Sequence, residues 1–170
     1  ADLTGGIDPS GKTTLVGVYE VYEGAYELSV SMLKRKFDIQ KGSTIRWTGE
    51  PTAAELDITA VYTTNAPPID LLEQQLSGYS TQELNMYKQR IPFNANLILK
   101  GELLKPEIKF DITLNEENPS VSSAVIDNTK TKLNHLRNEE SEMNKQVFAL
   151  LLLNRFIGEN PFQSQAGLSA

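Results

Sequence analysis

The sequence predicts a mainly β protein, in which a run of consecutive antiparallel strands carries one short helical interruption and is followed by a helical C-terminal segment. Three observations predict it. Apolar and polar residues alternate with a period of two through the first two-thirds, turn residues punctuate that alternation at short intervals, and the apolar period lengthens to the helical one in the last third. The expected layout is a single domain, with a sheet over 1–115 carrying a helical insertion near 68–78, and a helical segment over 116–170.

The first strand signal is Leu15 to Tyr22, rich in β-branched and aromatic residues. Tyr26, Leu28, Val30 and Met32 then alternate with Glu27, Ser29 and Ser31, the mark of a half-buried strand. Phe37 and Ile39 continue the pattern. Lys41-Gly42-Ser43 turns the chain into Ile45 and Trp47, which alternate with Thr44, Arg46 and Thr48. After Gly49-Glu50-Pro51, Leu56, Ile58, Ala60 and Tyr62 share one face and Asp57, Thr59 and Thr63 the other. Ile69, Leu72 and Leu76 then suit a short helix ended by Gly78, and the polar stretch from Tyr79 to Arg90 reads as a loop. Alternation resumes with Phe93, Ala95, Leu97 and Leu99, and again with Ile108, Phe110, Ile112 and Leu114.

In the last third, Asn118-Pro119 reads as a cap and first-turn proline for a helical stretch reaching Asn138. A second helix is capped by Asn138, with Glu139, Glu140 and Glu142 where the helix dipole favours negative charge. Met143, Val147, Leu150, Leu151 and Phe156 recur at helical spacing, and Gly158 and Pro161 close the helix.

Composition narrows the chemistry. The chain has 170 residues, 39% of them hydrophobic, enough for one domain with a core. With 22 acidic against 16 basic residues, its net charge of −6 disfavours sequence-independent nucleic-acid binding, because there is no cation excess to release counterions. It also disfavours broad docking onto anionic lipid. The absence of cysteine removes thiol catalysis, disulfides and thiolate metal sites. No run reaches the ~18 apolar residues that span a bilayer. The abrupt ends read as those of a piece of a longer protein.

Gly6 to Thr13 satisfies the phosphate-loop pattern G-x-x-x-x-G-K-[ST]. Such a loop works because a buried strand delivers it and a helix starts at its lysine, aiming N–H groups at the phosphates. Here strand residues follow Lys12, so the expectation is a β-turn at Pro9-Ser10-Gly11 between antiparallel strands. Lys12 and Thr13 are then solvent-facing or ladder residues. A nucleotide-binding enzyme fragment using Gly6 to Thr13 is the alternative. Ser123 to Asp127 faintly resembles a magnesium-holding strand aspartate, but its context favours a helix or loop. His135, the only histidine, has no ligand partner in sequence and reads as a surface residue. The pairs Glu116-Glu117 and Glu139-Glu140 point apart on either a strand or a helix, which argues against paired catalytic carboxylates. Neither a catalytic residue, a metal site nor a cofactor is expected.

About five one-sided strands of roughly eight residues would carry an apolar face on the order of 600 Å², the upper end for an ordinary monomer. Something must cover it: a second sheet, the C-terminal helix or a ligand.

The order of several blocks resembles a known family. These are Gly24-x-Tyr26, Phe37-x-Ile39-x-x-Gly42-Ser43-x-Ile45-x-Trp47-x-Gly49-x-Pro51 and Leu56-Asp57-Ile58-x-Ala60-x-Tyr62. Later come Leu97-x-Leu99-x-Gly101-x-Leu103-x-x-Pro106-x-Ile108-x-Phe110 and Glu142-x-Asn144-x-Gln146-Val147-Phe148-x-Leu150-Leu151-x-x-Asn154-Arg155-Phe156. Together they resemble the C-terminal domain of the TamB family of large envelope proteins, over about Gly17 to Phe156.

The resemblance implies a curved antiparallel sheet folded into an apolar trough, a β-taco, in a periplasmic bridge anchored in the inner membrane. It implies a TamA-type outer-membrane barrel as partner and a task in outer-membrane biogenesis, either phospholipid transport or outer-membrane protein assembly. Lipid suits such a trough physically. At ~0.8 kcal/mol per methylene, an acyl chain in water costs roughly 10 kcal/mol, so a carrier needs a continuous apolar surface. By their shared parity within strands, Ile45, Trp47, Leu56, Ile58, Ala60, Leu97, Leu99, Phe110 and Ile112 are the expected lining. An ordinary packed core, in a plain structural β-domain, is the competing expectation.

Overall fold

A computed structural model describes residues 2–7, 13–21, 25–30, 33–115 and 120–158. It is mainly β. One antiparallel sheet is built from β1 (Asp2–Ile7), β2 (Thr13–Val21), β3 (Ala25–Val30), β4 (Leu33–Ile39), β5 (Ser43–Gly49), β6 (Ala54–Ala66), β7 (Ile91–Glu102) and β8 (Lys105–Leu114). Three helices complete the described chain: α1 (Thr81–Met86), α2 (Ser123–Leu136) and α3 (Glu140–Leu153). The chain divides into two compact units, one of residues 1–62 and 96–111, the other of 63–95 and 112–170.

In the first unit the pairing is simpler than its strand count. β2 pairs with β5 and β3 with β4, while β5 and β4 both pair with β6. β4 and β5 therefore behave as one long strand with an interruption. Thr44 opposes Asp57 and Asp38 opposes Val61, so six steps on one side match four on the other, and two extra residues are absorbed around Lys41-Gly42. Gly42, at φ +95, takes the turn. The ladder is bridged across the interruption: Gln40 N–H donates to the Thr59 carbonyl at 2.7 Å, and Thr59 N–H donates to the buried Ser43 Oγ at 3.1 Å. Because side chains alternate with period two, an insertion of two leaves every face unchanged, whereas an insertion of one would invert it. This is why Phe37, Ile39, Ile45 and Trp47 share their parity across a turn.

In the second unit, Leu71, Leu72, Leu76, Phe93, Ile112, Val125, Leu133, Val147, Leu150 and Phe156 are buried, and Phe93 and Phe156 meet edge to face at 4.8 Å between centroids. The helix expected at 68–78 is a 3₁₀ turn at Pro68–Asp70 followed by turns. Its bonds are mainly of the i→i+3 type, from Leu71 to Pro68, Leu72 to Ile69 and Gln75 to Leu72. So short a segment does not propagate an α-helix on its own, and the burial of Leu71, Leu72 and Leu76 shapes it instead. The loop expected over 79–90 contains α1. Ser80 Oγ accepts from Glu83 N–H at 3.2 Å and Glu83 Oε1 accepts from Ser80 N–H at 3.4 Å, a reciprocal capping box.

α2 starts later than expected. Its N-cap is Ser122, whose Oγ accepts from Ala124 N–H, and Asn118-Pro119 lies outside the described residues. α3 is not capped by Asn138. Its N-cap is Glu139, which makes no side-chain cap bond, and Asn138 N–H instead donates to the His135 carbonyl in the turn leaving α2. Glu140 and Glu142 in the first turn favour the helix N-terminus electrostatically. The helix stops at Leu153 because Asn154 adopts the left-handed conformation, φ 54 and ψ 35, before Gly158 is reached. Pro161 lies outside the described residues.

Candidate functional site

Directly opposed residues in a ladder project to the same face, so the registers assign faces without reference to hydropathy. Leu3, Gly17, Trp47 and Ala54 form one cross-strand row, and Tyr19, Ile45 and Leu56 form the next. Ile39 opposes Ala60 farther along. Leu103 N–H donates to the Ala54 carbonyl at 2.8 Å, which in an antiparallel pair sets Leu99 opposite Ile58 and Leu97 opposite Ala60. The two-residue loop at Leu103-Leu104 then sets Ile108 opposite Leu99 and Phe110 opposite Leu97. The other face carries Val18, Arg46 and Glu55 in one row and Glu20, Thr44 and Asp57 in another.

The registers thus bring Ile45, Trp47, Leu56, Ile58, Ala60, Leu97, Leu99 and Phe110 onto one face of the first unit. Ile112 falls in the second unit and is fully buried. Exposure is graded over the face. Ala60, Leu97 and Leu56 are buried, as is Phe37, whose ring lies 6.0 Å from that of Tyr62. Ile45, Trp47, Ile58, Leu99 and Phe110 are half-buried. Tyr19 is 44% exposed, Leu3 40% and Ile108 55%. These last three were not among the expected lining, and only the registers relate them to it. The candidate site is the accessible part of the face, with Trp47 and Ile45 on one side and Ile58, Leu99 and Ile108 on the other.

Trp47 is held firmly. Its indole N–H donates to the Pro51 carbonyl at 2.9 Å, while its neighbour across the ladder, Gly17, offers no side chain. The N–H is therefore satisfied at the strand end and the apolar ring remains for contact. The clefts in each unit are of a different kind. One of about 440 Å³ in the first unit is lined by Thr48, Thr52, Ala53, Ala54, Glu55, Glu102 and Leu104, and one of about 290 Å³ in the second by Ile69, Asp70, Glu73, Leu76 and Leu84. Neither is lined by an expected groove residue.

The remaining chemical candidates resolve into local structure. Thr13 opens β2 directly opposite Ile7 of β1, so a strand and not a helix follows the phosphate-loop motif. Its residues 8–12, including the expected turn at Pro9-Ser10-Gly11 and Lys12, lie outside the described residues. Ser123 to Asp127 is the first part of α2. His135 is exposed in the last turn of that helix, and Glu139 and Glu140 are exposed at the start of α3, whereas Glu116-Glu117 lies outside the described residues. Among the described residues no group of three or more histidine or carboxylate side chains could hold a metal, and no helix is long and apolar enough to cross a membrane.

Comparison with curated proteins and with solved structures returns no match. A family model, the TamB C-terminal domain, matches residues 1–170, the whole chain. With the antiparallel sheet, its one-sided apolar face and the two C-terminal helices in place, the chain belongs to the TamB C-terminal domain family, whose general role is in outer-membrane biogenesis in the cell envelope.

Proposed function

We propose that the chain is a periplasmic module of an inner-to-outer-membrane bridge and holds phospholipid acyl chains against the apolar sheet face. In this reading the full protein is anchored in the inner membrane and hands its cargo to a TamA-type outer-membrane barrel. The observation that carries it is the sorting of one sheet into an apolar face and a polar one, with the apolar face still accessible at Leu3, Tyr19 and Ile108. Acyl chains need continuous apolar contact and no hydrogen-bond partners. Such a face supplies contact with few directional groups, whereas a catalytic pocket would bring several polar groups together.

A second reading takes a nascent outer-membrane protein as the client. β1 pairs only with β2 among the described strands, and an extended segment adds most readily to such a sheet edge. The two readings place their ligands differently. Photo-crosslinking residues introduced at positions 47, 58 and 46 of the full-length protein in cells distinguish them. Lipid adducts from 47 and 58 but not from 46, on the polar face, are the expected result. Polypeptide adducts from a further probe at position 4 of β1 would select the second reading, and lipid adducts from none of the first three positions would overturn the first.

A further inference from the structure

The strands of the first unit sort charge as well as hydropathy. By strand register, every charged side chain described in β2 and in β5 to β8 of that unit alternates away from the apolar face, Glu20, Arg46, Asp57 and Lys100 among them. In β4, Lys36 and Asp38 do the same. Arg35 is the exception among the described residues. It lies two positions from Phe37, so both project to the apolar face. Its guanidinium carbon lies over the Tyr62 ring, 5.7 Å from the centroid, and the same ring meets Phe37 at 6.0 Å. Arg35 and Tyr62 are both half-buried.

A cation in this place does not suit a surface that takes hydrocarbon alone. Covering it with acyl chains would strip its water and leave a charge in apolar contact, a cost that an incoming anion offsets. The ring contact leaves that role open. Cation–π attraction acts on the charge, whereas the five N–H groups point outward in the guanidinium plane and match two phosphate oxygens side by side. Position along the face matters too. The apolar row of β6 runs from Tyr62 through Ala60, Ile58 and Leu56 to Ala54, which lies opposite Trp47. The eight steps between its ends span roughly 26 Å at ~3.3 Å each, more than the ~15 Å of hydrocarbon in one bilayer leaflet. A lipid with its phosphate at Arg35 therefore has apolar surface for the full length of its tails.

We propose that Arg35 is the headgroup site of the apolar face and pairs with the phosphate of a phospholipid whose tails run along β6 toward Ile45 and Trp47. The proposal rests on the acyl-chain reading of this face and adds a direction and a selectivity to it. Lipids that carry a phosphate are preferred over neutral lipids with the same tails.

The test uses the whole 170-residue chain with a photo-crosslinking residue at position 58. It is mixed with labelled dioleoyl phosphatidylglycerol or labelled dioleoylglycerol, each presented in micelles of an uncharged sugar detergent. The parent should trap the phospholipid roughly tenfold more, as expected for a bidentate charge-assisted pair. Arg35→Met, which keeps a long apolar stem, should bring the two lipids level. Arg35→Lys has the charge without the fork and should keep part of the preference. Lys36→Met, on the opposite face, should keep all of it, and unchanged circular dichroism verifies the folding of each variant. With the crosslinker at position 47 instead, the adduct should map nearer the methyl end of the acyl chain than it does from 58; the reverse order overturns the proposal. Equal capture of the two lipids by the parent, or a preference that survives Arg35→Met, would overturn the headgroup site and leave the acyl-chain reading standing. Capture of neither lipid would remove both. Displacement of phosphatidylglycerol by inorganic phosphate at fixed ionic strength would make Arg35 a site for the free ion and overturn the lipid assignment.

Discussion

Gln146 grips the backbone of Ile157 with both ends of its amide: Nε2–H donates to the Ile157 carbonyl at 2.7 Å, and Oε1 accepts from Ile157 N–H at 3.1 Å. The chain leaving α3 is thereby tied back to the helix beside the buried Phe156, which packs on Phe93. Gln146 is itself buried, so the bonds are shielded from water. Replacement by leucine keeps most of the volume but leaves both Ile157 groups without their partner. Gln146→Leu should cost about 1–3 kcal/mol in urea unfolding followed by the helical circular dichroism signal. A cost below the lower figure would mean that water replaces the amide freely.

Asn154 gives a sharper comparison, because it does two things at once. It holds the left-handed conformation that ends α3, and its Oδ1 accepts from the Thr64 hydroxyl at 2.9 Å. Glycine keeps the conformation and loses the hydrogen bond to Thr64, whereas alanine loses that bond and also strains the backbone. Asn154→Ala should therefore be more destabilising than Asn154→Gly by about 1 kcal/mol. Equal losses in thermal unfolding would show that the Thr64 bond dominates.

Tyr87 is almost fully buried, and burial raises its phenol above the ordinary 10.0, although the hydrogen bond from Asn128 Nδ2 at 2.6 Å pulls in the opposite direction. The folded state thus keeps its proton at a pH where the unfolded state has begun to release it. This contribution is fully present below about pH 10 and is lost as pH rises from there through the folded-state value. Stability measured from pH 9 upward should fall more steeply in the parent chain than in Tyr87→Phe. Parallel curves would refute the assignment.

Gly49 sits at φ +143, directly opposite Leu15, and a Cβ placed there would meet nothing within 4 Å. Any penalty from Gly49→Ala is consequently backbone strain and not a clash. We expect a loss of about 1–2 kcal/mol, read by the fluorescence of Trp47, the only tryptophan, two residues away. Thr48→Ala, exposed on the polar face, should change little.

Alternation is a local property, and it survives in β5 and β6, where it was clear in the residues. Leu56, Ile58 and Ala60 share a face, and so do Ile45 and Trp47, because successive side chains in a strand must point to opposite sides. The capping box Ser80-Thr81-Gln82-Glu83 was equally local, and a search for Ser-x-x-Glu would have found α1 where only a polar loop was expected. Other facts have no local signal. That β4 and β5 act as one strand rests on β6 running unbroken beside them, and the two-residue insertion at Lys41-Gly42 preserves parity only by virtue of that pairing. The end of α3 rests on Asn154 being held by Thr64, ninety residues away in sequence. The amphipathic face was therefore legible from residue types alone. Which of its residues are core, as Ala60 and Leu97 are, and which remain open to a ligand, as Tyr19 and Ile108 do, was decided by tertiary structure, because burial depends on non-local segments packing above a strand and not on the strand's own order of residues.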